Sequence, residues 1–275
     1  MKRLGLGLLM LLCGFAPAGA EDGGVLDGEH LRVQGDVAFE WIERAAALGE
    51  AHYAALAEHF GATPPRSRLP IELHLHAEKP DMVRALRAAG VKDDLDGLGG
   101  YTTVDGTAHV VIQPSPFHTR RLVLHELTHA YQDRVVPLAA RRRIPAWYRE
   151  GLAEWFGWHR RTPDGLAFGA LDAVAFRQRP IEAKARAVAD GFDPFAVMTA
   201  PAPVDYTDAL AVVAGLLRSE DADVRAAFRA FEQDVVRRGP GAGPPEALAA
   251  RRGAVVAAVR TAWRDFNPRF VARTR

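Results

Sequence analysis

Residues 125–129 read His-Glu-Leu-Thr-His, a pattern that constrains the fold because its two imidazoles act together only on a helix. Positions i and i+4 of an α-helix share a face, so His125 and His129 can bind one metal ion there. Glu126 between them can take a proton from a water on that metal. Catalytic zinc sites usually have three protein ligands and one open position, so a third ligand must come from elsewhere. Glu150, in the Glu-Gly-Leu-Ala-Glu segment at 150–154, is the candidate.

The segment around this motif carries the signals of a helix with one apolar face. Ser115 followed by Pro116 is typical of a helix start, with a capping hydroxyl and a proline at the first helical position. Residues 119–135 contain neither glycine nor proline. Apolar side chains recur at helical spacing on a face offset from the histidines: Leu124, Leu127 and Tyr131. We therefore predict a helix that packs on one face and holds a metal on the other.

A second helix is predicted from Pro145 to about Phe156. Glu150 and Glu154 are four residues apart on it and therefore share a face. Glu154 has two interpretations: a surface acid, or an acceptor for the free ring N–H of a ligand histidine, which would fix that imidazole's orientation. The two helices together predict a metal site of two histidines and Glu150, and zinc is the default metal for such ligands.

These residues make the chain resemble the gluzincin metallopeptidases, whose pattern is HExxH followed by a glutamate ligand on a second helix. More narrowly, it resembles bacterial peptidase-MA-like proteins, many of which are secreted. The resemblance covers about residues 115–157 and implies a general base, Glu126, and three zinc ligands, His125, His129 and Glu150. The 20 residues between His129 and Glu150 make a slightly different gap from that of the best-known aminopeptidase relatives. No G-x-M-E-N-like segment precedes the motif, so aminopeptidase specificity is not implied.

The resemblance also implies hydrolysis of a peptide or protein substrate. Glu126 would pass a proton from a zinc-activated water to the leaving amine, and one further side chain would donate a hydrogen bond to the oxyanion. Related enzymes often use a Tyr or His there; Tyr206, just before a predicted helix, is the leading candidate, with Tyr148 and His159 behind it. Two alternatives stay open: a catalytically inactive, zinc-stabilised exported binding protein, and a zinc amidase acting on cell-wall peptides. The presence of Glu126 favours catalysis, because a purely structural site needs no base.

The first 20 residues have the pattern of a signal peptide. A basic pair precedes an apolar run from Leu4 to about Phe15, and the small residues at 18–20 offer a cleavage site. The run is too short and too glycine-rich to predict a membrane span, so no stable membrane anchor is expected after cleavage. Cys13 follows Leu12 rather than the small residue of a lipoprotein signal. We predict a periplasmic or secreted protein whose mature form contains no cysteine.

Charge gives no indication of a nucleic-acid partner. The chain has 35 basic and 34 acidic residues, for a net charge of +1. Without the basic pair of the signal peptide, 33 basic residues face 34 acidic ones, for a net charge of −1. The short run at 141–143 fits a solvated loop. No strongly basic surface of the kind that nucleic acids need is therefore predicted.

The order of strand and helix signals predicts an α+β fold, which the resemblance makes zincin-like. After the signal peptide (1–20), the segments are an N-terminal sheet-and-helix lobe (21–114), a zinc-binding helix pair (115–160) and a helical C-terminal lobe (161–275). Further helices are predicted at 37–60, 80–89, 207–217, 224–236 and 246–266.

Strands are predicted at 29–36, at 69–77 and in a hairpin closed by Asp105-Gly106. Element order and the resemblance make 109–113 the substrate-facing strand or its neighbour. The strand at 69–77 alternates, with Ile71, Leu73 and Leu75 on one face and Glu72, His74 and His76 on the other. His74 and His76 are predicted to face solvent, with a second metal site as the less favoured alternative.

Overall fold

A five-stranded mixed sheet and a set of helices make the protein α+β. The computed structural model describes residues 23–163, 165–171, 178–237 and 246–266. The predicted signal peptide and Cys13 lie outside these ranges. The strands are β1 (Gly24–Asp27), β2 (Leu31–Gly35), β3 (Ile71–His76), β4 (Gly100–Thr102) and β5 (Ala108–Val111), in the sheet order β1-β2-β3-β5-β4. β2, β3 and β5 run parallel, whereas β1 and β4 pair antiparallel at the two edges.

Helices surround the sheet and continue beyond it. They are α1 (Phe39–Phe60), α2 (Lys79–Ala88), α3 (Pro116–Val135), α4 (Ala146–Gly157), α5 (Gln178–Val188), α6 (Pro194–Thr199), α7 (Tyr206–Leu217), α8 (Ala222–Arg237), α9 (Glu246–Ala249) and α10 (Arg252–Arg264). A short hairpin of β6 (His159–Thr162) and β7 (Gly165–Phe168) follows α4. Short 3-10 helices occupy Arg66–Arg68 and Leu138–Arg143. No helix within the described ranges has the length and apolar character needed to cross a bilayer.

The alternation in β3 places one row of apolar side chains in the main core. Ile71, Leu73 and Leu75 are buried together with residues of α1 and α3. The prediction that the opposite row faces solvent is wrong for His76, which is only 8% exposed. A smaller apolar cluster built on α2 and Val111 packs on this second face, and the His109 ring stacks beside His76. The second face is therefore partly covered.

The predicted hairpin before the metal-binding motif is confirmed and forms the sheet edge nearest α3. β4 and β5 pair antiparallel with Tyr101 opposite His109. Gly106 has φ +84° and closes the turn by donating from its N–H to the Thr103 carbonyl at 2.8 Å. β5 lies inside the sheet, so of the two hairpin strands it is β4 that has a free edge.

The C-terminal helices hold α4 from the side away from the sheet. α4 packs against α7 with so little space at Gly151 that a Cβ there would collide with the Ala209 carbonyl. Buried apolar side chains from all three predicted segments join one continuous cluster. The helix predicted at 246–266 is interrupted by a turn at Ala250 and Arg251, which separates α9 from α10.

Candidate metal centre

Three potential ligand atoms converge where α3 and α4 lie side by side. The Nε2 atoms of His125 and His129 are 3.2 Å apart. Glu150 Oε2 lies 3.5 Å from His125 Nε2 and 3.2 Å from His129 Nε2. The three ligand atoms lie within 4.8 Å of one another, and within the described part of the chain this is the group that can hold a metal ion. The structure thus brings together the three residues proposed as ligands from sequence.

The helix pair is fixed in this arrangement by contacts on both sides of the ligands. Beneath α3, the buried His52 ring of α1 lies 3.0 Å from the Leu124 carbonyl and 2.9 Å from Thr128 Oγ1. Burial lowers the pKa of His52 to about 3, so this ring is neutral. At the other end, Arg149 binds the Asp133 carboxylate through two nitrogens, at 2.7 and 3.1 Å. This bidentate pair joins the end of α3 to the start of α4, next to Glu150.

The polar atoms of this group fit a cation. Glu150 Oε2 is buried without a hydrogen-bond partner, as are the Nδ1 atoms of His125 and His129. Unpaired buried polar atoms cost free energy, and a cation bound to Glu150 Oε2 and to the Nε2 atoms of the two histidines would offset that cost at Glu150. The Glu150 side chain is 18% exposed, so the group opens to solvent on one side. Two imidazoles and a carboxylate are a donor set that can hold a metal ion, and the accessible side leaves room for a further ligand.

Mutual attraction in this group shifts its pKa values. Burial alone would raise the pKa of the Glu150 carboxyl, but the His129 and His125 imidazoles hold it well below its usual range. Burial alone would lower the pKa of His125, yet the carboxylates of Glu150, Glu126 and Glu154 raise it. A divalent cation would keep Glu150 ionised and would favour neutral imidazoles, so metal binding would release protons.

Glu126 points toward the sheet edge and is held there by β4. Thr102 donates its hydroxyl proton to Glu126 Oε2 at 2.8 Å. A Cβ at Gly100 would come within 2.7 Å of Glu126 Oε1, so the absence of a side chain lets the strand approach the carboxylate. The sequence did not identify Thr102, because nothing near residue 102 signals a contact with a residue 24 positions later.

Glu154 lies behind His125, on the same face of α4 as Glu150. Its Oε1 is 3.4 Å from His125 Nδ1, although the two atoms do not have hydrogen-bond geometry. Arg121 binds both Glu154 oxygens, at 2.9 and 2.8 Å, and Arg179 binds the same carboxylate. Glu154 is 1% exposed, so the interpretation as a surface acid is wrong. Arg121 precedes His125 by one helical turn, a signal that could have identified it, whereas Arg179 had no such signal.

Tyr206 is the candidate hydrogen-bond donor that the structure brings to this group. It is the first residue of α7, whose preceding Asp205 accepts hydrogen bonds from the Thr207 and Asp208 N–H groups. The Tyr206 ring lies 5.9 Å from the His125 ring. Burial, followed by the charges of the nearby glutamates, raises its pKa, so its hydroxyl remains a proton donor.

The two weaker candidates are engaged elsewhere. The hydroxyl of Tyr148 donates to Glu232 Oε1 at 3.2 Å, within a cluster of aromatic rings on α8. His159 Nδ1 lies 2.9 Å from the Gly157 carbonyl, and its ring stacks on Phe117. These contacts favour Tyr206 over both.

The alternative metal site at His74 and His76 is not assembled within the described residues. His74 Nε2 lies 2.6 Å from Gln34 Nε2, and His76 Nε2 lies 3.1 Å from His109 Nδ1. No third ligand atom joins these nitrogens closely enough to complete a site in the described ranges.

No protein-family model matches the chain, and a search of curated proteins returns no match. What the group of His125, His129 and Glu150 can do chemically therefore follows from its own geometry and burial.

Proposed function

We propose that this protein is an exported zinc-dependent metallopeptidase of zincin-like fold, with His125, His129 and Glu150 as zinc ligands. The observation that supports it is the convergence of these three ligand atoms beside a buried fourth group, Glu126, that is free of any ligand role. A closed structural site needs four protein ligands and no base, whereas three ligands with an accessible side, and a Glu126 carboxylate whose charge raises the pKa of His125, support a catalytic role. The signal peptide pattern at 1–20 supports a periplasmic or secreted location.

When bound, a zinc ion supplies a Lewis acid that lowers the pKa of a coordinated water to about 7 and polarises the scissile carbonyl. Glu126 takes a proton from the attacking water and passes it to the leaving amine. Thr102, by donating to Glu126 Oε2, leaves Oε1 available for this proton transfer. The hydroxyl of Tyr206 donates a hydrogen bond to the oxyanion that develops on the carbonyl.

The free edge of β4 supports a peptide as substrate. Gly100 and Thr102 lie against Glu126, and within the described sheet β4 pairs with β5 on one side alone. An extended peptide can add to such an edge through backbone hydrogen bonds, which would lay its carbonyl groups beside Glu126. Backbone pairing accepts many sequences, so this geometry supports endopeptidase action on extended chains more than recognition of a chain terminus.

The test is a panel of substrates offered to the purified, zinc-loaded protein: an unfolded protein, short blocked peptides and cell-wall peptide fragments. We expect cleavage of the unfolded protein or the blocked peptides, loss of activity on chelation, and its return with added zinc. Glu126→Gln, with its metal content measured in parallel, is the matched control for contaminating proteases. Cleavage of cell-wall fragments alone would favour the amidase alternative. Stoichiometric zinc without turnover on any substrate would favour the binding-protein alternative and contradict the proposal.

A further inference from the structure

A second candidate site lies on the opposite side of α3 from the metal ligands. A cavity of about 390 Å³ is bounded by α1, β3, α3 and β6. Arg120 contributes to it from α3, on the face that buries Leu124 and Leu127 against α1. His129 lies nine residues further along α3, half a turn around the axis at 3.6 residues per turn. The volume is within the range of small-molecule sites.

The cavity combines three guanidinium groups with an apolar wall. Arg44, Arg120 and Arg161 line it together with apolar side chains that include Trp41, Leu48 and Val123. None of the described residues lining it carries a carboxylate. Arg44 forms an ion pair with Glu40 one turn earlier on α1. Positive charge therefore gathers in a partly enclosed space with apolar walls.

The arrangement is unfavourable for Arg120, whose charge is partly buried near two other guanidinium groups. Burial, followed by the charges of Arg161 and Arg44, lowers the pKa of Arg120. Its Nε is buried and has no hydrogen-bond partner in the described part of the chain. A guanidinium does not lose its proton in proteins, so the charge stays and the donor stays unpaired. A bound anion would pair the donor and screen the repulsion among the three arginines.

We propose that this cavity binds a small organic anion, with its carboxylate or phosphate held by Arg120 and Arg161 and its apolar body against Trp41, Leu48 and Val123. The head group follows from the guanidinium donors, which match both oxyanions. The apolar body follows from the walls, which an inorganic ion would leave in contact with water. The ligand would join α1, α3 and the β6–β7 hairpin. This proposal does not depend on the metal centre.

The experiment measures binding of four probes by calorimetry and thermal unfolding: octanoate, octyl phosphate, acetate and inorganic phosphate. All are compared at equal ionic strength, with sodium chloride as the reference. A chelator is present throughout, so that no probe binds through zinc. We expect one saturable site for octanoate, octyl phosphate or both, with a higher melting temperature, and at least about tenfold weaker binding of acetate and inorganic phosphate. The stronger of the two octyl probes identifies the head group.

Two neighbouring arginines of β6 provide a matched pair of variants. Arg161 lines the cavity, whereas Arg160, next to it and also exposed, does not. Arg161→Gln should weaken binding about tenfold or more, and Arg160→Gln should leave it unchanged. Without ligand, Arg120→Gln should retain or raise the melting temperature, because it removes buried charge repulsion. Absence of saturable binding by every probe, or equal losses in Arg160→Gln and Arg161→Gln, would overturn the proposal.

Discussion

Histidines gather in two places, on helix α3 and on strands β3 and β5, and the two groups differ in what their ring nitrogens face. At the first, the Nε2 atoms of His125 and His129 converge on a carboxylate oxygen that has no hydrogen-bond partner. At the second, His76 contacts His109, and His74 contacts the amide of Gln34.

The two groups also differ in charge. Carboxylates raise the pKa of His125, whereas burial, followed by the fields of His74 and His76, lowers the pKa of His109 to about 4. The second group is thus held neutral, and its nitrogens contact one another or Gln34, whereas the first group directs two imidazole nitrogens at an anion. Closeness of imidazoles is not sufficient for a metal site; a third ligand atom directed at the same point is also needed.

The largest expected effect concerns the base beside the first group. Glu126→Gln removes proton transfer and should lower kcat by about 10²- to 10⁴-fold while zinc content is retained. Glu72, two residues before His74 on the second group's strand, is the matched control, and Glu72→Gln should leave kcat unchanged. Steady-state kinetics with metal analysis of each variant gives the answer. Full activity in zinc-loaded Glu126→Gln would contradict the role of general base.

The next effect concerns the donor to the oxyanion. Tyr206→Phe should lower kcat by about 10²- to 10³-fold with little change in KM, because the hydrogen bond forms mainly in the transition state. Tyr148→Phe removes a buried hydroxyl that binds Glu232 and should reduce stability without changing kcat. Kinetics of both variants on one peptide substrate separates the two tyrosines. Equal turnover in Tyr206→Phe and wild type would remove Tyr206 from the mechanism.

A smaller effect is expected behind His125. Glu154→Gln removes the negative charge near His125 Nδ1 and should weaken zinc binding by about 10- to 100-fold. Asp36, an acid near His76 in the second group, is the matched control, and Asp36→Asn should leave zinc affinity unchanged. Competition with a chromophoric chelator measures both affinities. An unchanged affinity in Glu154→Gln would reduce its role to pairing with Arg121 and Arg179.

The smallest effect is expected in the pH dependence of stability and comes from His109 of the second group. The pKa of His109 is about 4 when folded and 6.5 ordinarily. The unfolded chain binds more protons between these values, so this contribution to stability is complete above about pH 6.5 and declines as the pH falls towards 4. His109→Gln should therefore show a shallower slope than wild type, by up to about 1.4 kcal/mol per pH unit. If the free energy of unfolding changed with pH at the same rate in wild type and in His109→Gln across this range, His109 would not be held neutral in the folded protein.

Much of the candidate metal centre could be predicted because its sequence signals are local. Each signal lies within one helix: Pro116 predicts its start, the apolar stripe predicts its packed face, and the four-residue spacing places both histidines on one face. The position of Glu150 also followed from sequence, since a second helix with an acidic face came after a loop of suitable length. Ser115 precedes α3 as predicted but makes no side-chain capping bond.

What could not be predicted depends on contacts between distant segments. Thr102 reaches Glu126 only because β4 lies at the sheet edge beside α3. The burial of His76 depends on α2 and His109. The alternating pattern of β3 contains no information about either contact. The β6–β7 hairpin was missed within a segment interpreted as mostly helical, although Pro163 and Gly165 are turn residues.

The most direct test is the zinc content of the purified protein after dialysis without chelator, compared among wild type, Glu150→Ala and His76→Gln. Two imidazoles without a carboxylate should not retain the ion, so we predict roughly one zinc per chain in wild type and His76→Gln, and marked loss in Glu150→Ala. Absence of bound metal in wild type even after zinc is added back, or loss of zinc in His76→Gln rather than in Glu150→Ala, would contradict the assignment of the metal to His125, His129 and Glu150.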